Sequence, residues 1–198
     1  MQNLVELTRH FNWVDILVFL IFLRLVFVSL KEGLAVEFFK IIGALCAVYL
    51  ALHYYYSIAG FVNVRSGSKT PPGQFLQIAA FCVLCTCGYG FFVLLRIVVF
   101  RFITAQINPV LSRWAGLCAG LVRSFLVSSM ILFCLLLVRQ AYFINSVHYS
   151  LSGSSIVYVA PTTYAWIWET FVSKFASREK SNAQVEETLQ FEPRKNKR

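Results

Sequence analysis

Residues 11–140 alternate between long apolar runs and short polar breaks, and the run lengths match a bilayer. The first run, Phe11 to Leu30, is interrupted only by Asp15 near its start and Arg24 near its end. About 20 residues at a rise of 1.5 Å cross a hydrocarbon core of about 30 Å, so the run predicts a first transmembrane helix. Arg9 and His10 ahead of it resemble the start of a signal peptide, but no small-x-small cleavage site follows and Lys31-Glu32-Gly33 comes at once, so the segment is expected to be retained.

The second run, Leu34 to Tyr56, opens with a polar turn holding Glu37 and Lys40 and closes on the aromatic cluster His53-Tyr54-Tyr55-Tyr56, an interfacial signature. Arg65 to Gly73, rich in Ser, Gly and Pro, reads as a water-exposed loop between two helical hairpins. A third helix spans about 75–102, longer than the core requires, so it tilts or emerges around Arg96 and Arg101. After the break at Asn108-Pro109, a fourth spans about 111–140 and carries Gly116 and Gly120 at a spacing that permits close backbone approach. Arg123 inside that run costs about 2.5–3.5 kcal/mol if deep in lipid, which favours an amphipathic lead-in over 108–122 and a shallow Arg123.

Beyond Asn145, Tyr164, Ile167, Trp168, Phe171 and Phe175 recur at helical spacing opposite Thr170, Ser173 and Lys174, predicting an interfacial amphipathic helix. Pro161 and Glu169 argue against a fifth span and leave a re-entrant segment as the alternative. The tail from Ser177 has the composition of a disordered segment. The expected architecture is an all-α integral membrane protein: four transmembrane helices paired as two hairpins over 1–144, an interfacial segment over 145–176, and a basic disordered tail over 177–198.

Composition agrees with the pattern: of 198 residues, 58% are hydrophobic and only 14% charged, too few to cover a soluble exterior. The net charge of +9 is spread along the chain, residues 173–198 carrying seven basic and four acidic side chains. Such a balance points to anionic headgroups and membrane orientation rather than nucleic acid. Arg24, Lys31, Lys40, Arg96, Arg101, Arg113 and Arg123 fall on the side of the first and third loops, and Arg9, Arg65, Lys69 and Arg139 on the other. This count places both termini outside the cytoplasm, against which the basic tail argues.

Candidate chemistry adds little. The six cysteines lie in apolar runs and read as small core residues, with no metal or other cofactor implied. No G-x-S-x-G surrounds any serine, and there is no Walker loop, GxGxxG or HExxH, so an enzyme is not expected. Asp15, three residues after Asn12, suits a helix cap, the alternative being an ion or proton site. Glu37 shares a membrane side with Arg96 and Arg123 and is placed to pair with either. Gly43, Ala47, Gly116 and Gly120 are the expected packing positions, with homo-oligomerisation open.

The order of Asn12-Trp13-Val14-Asp15, then Lys31-Glu32-Gly33 with Glu37, then Leu111-Ser112-Arg113-Trp114-Ala115-Gly116-Leu117-Cys118-Ala119-Gly120 ahead of the last span resembles the colicin V production protein (CvpA) family. The likeness covers about Phe11 to Val138; the residues around Val28 to Lys31 depart from the family pattern, and the tail after Ala176 matches none of it. The resemblance implies a multi-pass protein of the bacterial inner membrane that supports peptide-toxin production or export and envelope homeostasis, with the bilayer and export-system proteins as partners and no catalytic chemistry. A small channel or proton-coupled transporter, with Asp15, Glu37, Arg96 and Arg123 lining a polar path, is the competing reading.

Overall fold

A computed structural model describes residues 12–67, 73–102, 109–175 and 181–190. Among them the regular structure is helical throughout, and four helices are long and apolar enough to cross a membrane: α1 (Trp13–Glu32), α2 (Leu34–Arg65), α3 (Gln74–Phe102) and α4 (Pro109–Leu137). Their outward faces carry large apolar side chains such as Phe19, Leu23, Phe91 and Leu94, each more than half exposed, which only lipid solvates cheaply. The chain is thus a multi-pass membrane protein.

Boundaries shift in two places. Helix α2 continues nine residues past Tyr56 to Arg65, so the aromatic cluster lies inside the helix and the loop begins at Ser66. Helix α4 starts at Pro109, whose missing N–H costs nothing in a first turn, and ends at Leu137, before Arg139 at φ 51°. Asn108 and residues 68–72 lie outside the described residues.

The expected pairing into two hairpins is corrected. Helix α2 packs along α3 and along α4, and α1 packs along α4, whereas α1 with α2 and α3 with α4 touch little. The lateral order is therefore α1, α4, α2, α3. Small residues decide it: a Cβ on Gly88 of α3 would stand 2.9 Å from Ala47 Cα, and one on Gly43 of α2 would stand 3.0 Å from Phe92 Cβ. Those backbones approach as only small-residue interfaces allow. Between its neighbours α4 buries two faces, Leu126, Met130 and Phe133 toward α2 and Leu132 and Leu136 toward α1.

The chain after α4 folds back against the bundle through α5 (Ala141–His148), α6 (Gly153–Ile156) and α7 (Val159–Ile167). Ser129 Oγ donates to Val157 O at 2.9 Å and accepts from Ala160 N at 2.8 Å. Ser129 precedes the end of α4 by eight residues, about 12 Å of helix, so the turn between α6 and α7 lies alongside α4 well short of that end. The helical path continues through a π turn at Trp168–Val172 and α8 (Ser173–Phe175). On its expected apolar face Tyr164 is buried and Phe171 exposed.

Disorder from residue 177 is also corrected in part. Ala183–Gln190 forms α9, capped by Asn182, whose Oδ1 accepts from Gln184 N at 3.1 Å. Val185 and Thr188, three residues apart on one face, are buried against the bundle. Residues 177–180 and 191–198 lie outside the described residues.

Candidate functional site

The polar interior concentrates at the turn between α1 and α2. Gly33 reverses the chain at φ 80°, a backbone conformation that favours glycine. Leu34 N donates to Ser112 Oγ of α4 at 3.1 Å, satisfying one of the open donors at the start of α2. Gly116 lets α4 lie on this turn, since a Cβ there would stand 3.1–3.3 Å from the Gly33 and Leu34 backbone. One turn deeper, a Cβ on Gly120 would overlap Ser29 Oγ at 2.0 Å.

That close seat brings Arg123 into the bundle. Its Nε faces Glu37 Oε2 at 3.3 Å, with the two side chains 2% and 0% exposed. Arg123 Nη2 also reaches Ser29 Oγ at 3.4 Å and Leu25 O at 3.5 Å. Lys40 Nζ donates to Glu37 Oε1 at 3.2 Å and makes a second, closer contact with Glu32, which Arg96 Nη1 approaches at 3.9 Å. Three cations thus share two carboxylates across all four long helices. Arg123 is enclosed by protein, and the expected lead-in is the first half of an unbroken helix.

Asp15 belongs to a different place. It completes a capping box with Asn12, whose N–H donates to Oδ2 at 2.9 Å, and its Oδ1 accepts from Ser152 N at 2.8 Å and Ser150 Oγ at 3.0 Å. Asn12 Nδ2 donates in turn to Ser146 O at 3.2 Å. The carboxylate therefore caps α1 and holds the turn between α5 and α6. It stands 17 residues from Glu32, about 26 Å along α1, at the opposite end of the bundle.

Of the expected polar residues, Glu37, Arg123 and, through Glu32, Arg96 come together, and Asp15 does not. Glu32, Lys40, Ser29 and Ser112 are additional members. Lys40 carried a signal, standing three residues after Glu37 on the same helix face; the serines carried none. A third polar cluster ties the C-terminal elements to α2: Tyr164 OH lies 2.9 Å from His53 Nδ1 and accepts from Asn182 N at 3.0 Å, and Asn182 Nδ2 donates to Leu52 O at 2.7 Å.

Beside the network lies an apolar cleft of about 530 Å³ lined by residues of all four long helices, among them Ala47, Cys85, Arg123 and Cys134. The cysteines are free, and among the described residues no His, Cys, Asp or Glu group of three is placed to hold a metal ion.

A protein-family model described as colicin V production protein matches residues 14–173, a stretch that contains α1 but for Trp13, all of α2 to α7 and every member of the ion network. No curated protein and no solved structure matches the chain.

Proposed function

The chain belongs to the colicin V production protein family, and from that premise we propose that it is a non-enzymatic protein of the bacterial inner membrane that supports production or export of a peptide toxin and envelope homeostasis. The Glu32–Gly33 end, where the basic residues cluster, faces the cytoplasm on this reading, because the positive-inside bias acts on residues near the membrane. The amphipathic stretch through Trp168 to Phe175 lies along the opposite interface.

The observation that supports a structural rather than conducting role is the partnering of Glu37. Both of its oxygens face cations, Lys40 at 3.2 Å and Arg123 at 3.3 Å. A proton or ion relay would need these groups to exchange with water, and it would need Asp15, which stands about 26 Å from Glu32 along α1. The network is read instead as a lock that holds the α1–α2 turn on α4.

Deletion of the gene, followed by assays of toxin secretion and envelope stress, tests the proposal. Secretion falls and stress signalling rises on deletion, and the intact chain restores both. Normal secretion and normal stress in the deletion strain would overturn it. Proteoliposomes holding folded protein are expected to show no ion or proton flux; specific flux abolished by Glu37→Gln would establish the transporter instead.

A further inference from the structure

We propose that the crevice between the starts of α2 and the end of α3, lined by Val36, Arg96, Ile97, Phe100 and Arg101, is a binding site for the phosphate-bearing headgroup of an anionic phospholipid. Its volume is about 490 Å³, within the range of about 300–1,000 Å³ typical of small-molecule sites. Two guanidinium groups flank three apolar side chains, the composition that suits a phosphate joined to hydrocarbon. This inference goes beyond the proposed function and does not depend on it.

Depth comes from α3 itself. Gln74 to Leu95 is a run of 22 residues without a charge, about 33 Å of helix, which fills a core of about 30 Å. Arg96 is the first charge after that run, so it and Arg101 stand where headgroups lie.

Charge supports an anionic occupant. Glu32 is engaged closely by Lys40, leaving Arg96 at 3.9 Å, the outer limit of an ion pair. Counting Lys40, Arg96, Arg101 and Arg123 against Glu32 and Glu37 gives four cations and two anions, a local surplus of +2. Arg101 is exposed, and Lys31 adds positive charge on the same membrane side. An anionic leaflet attracts such a region by about 1 kcal/mol per basic residue.

The test measures lipid binding to the purified full chain in neutral detergent by native mass spectrometry, with phosphatidylglycerol, phosphatidylcholine and inorganic phosphate as probes. Phosphatidylglycerol is expected to bind in preference to phosphatidylcholine, and Arg101→Gln to weaken it about fivefold, the factor equivalent to about 1 kcal/mol, while Arg113→Gln, outside the crevice, leaves it unchanged. Ile97→Trp, which fills the crevice from an exposed position, is expected to cause a similar loss and serves if Arg101→Gln does not fold. Equal binding of the two lipids, equal loss in Arg113→Gln, or unchanged binding in Ile97→Trp overturns the site. Competition by inorganic phosphate at similar concentration overturns the lipid as its ligand and assigns the arginines to a free phosphoryl group.

Discussion

Arg123 of α4 meets Glu37 of α2 at 3.3 Å in a region sealed from solvent, and this contact ties together two residues 86 positions apart in sequence. Desolvating two charges is costly, so the pair's net contribution is small, whereas removing one partner strands the other. Arg123→Gln and Glu37→Gln are each expected to destabilise the detergent-solubilised protein by about 3–5 kcal/mol. The double neutral variant should recover part of that loss, with a coupling of about 0.5–3 kcal/mol in a thermal-unfolding cycle. Strictly additive losses would show that the two side chains do not act as a pair.

Gly120 and Gly90 make a matched comparison. A methyl at Gly120 collides with Ser29, while one at Gly90 meets nothing within 4 Å. Gly120→Ala is expected to cost about 1–3 kcal/mol by overpacking. Gly90→Ala should gain about 0.5–1 kcal/mol because alanine loses less backbone freedom in a helix. If melting temperatures of the two variants move together, the close approach of α4 to Ser29 is not what the glycine secures.

The four spans were readable because bilayer thickness converts directly into run length, and the family resemblance rested on the same segments. The pairing of helices was not, since it depends on which small-residue stripes face each other: Gly88 against Ala47 across α2 and α3, and Gly116 against Gly33 at the turn. Glu37 and Arg123 could be matched from charge and membrane side alone. Ser29 and Ser112 could not, because each acts through one hydrogen bond from a distant helix. Helix α9 escaped a compositional reading since eight residues carry little periodicity, and its place depends on bonds from Asn182 to α2.

Asp15→Ala removes an acceptor that serves Asn12, Ser150 and Ser152 together. The expected loss is at least about 1.5–3 kcal/mol, the net worth of a hydrogen bond to a charged group. Hydrogen exchange should accelerate across residues 146–160 while α3 keeps its protection. Asp15→Asn retains one oxygen and should fall between the variant and the wild type. Faster exchange spread evenly over the chain would mean that Asp15 supports the whole bundle rather than the turn between α5 and α6.

Asn182 has two tasks, which separate experimentally. Its Oδ1 caps α9, and its Nδ2 bonds Leu52 O at 2.7 Å, so Asn182→Ala removes both. Asn182→Asp keeps the capping oxygen and loses only the donor. Loss of the cap alone costs about 0.5–2 kcal/mol. If docking to α2 is what orders the segment, the aspartate variant should release α9 nearly as fully as the alanine variant, read as rapid exchange of amides 183–190. Tyr164→Phe should act in the same direction, because the lost hydroxyl bridges His53 and the Asn182 amide. Full protection of α9 in Asn182→Asp would instead assign its order to the cap and to the burial of Val185 and Thr188.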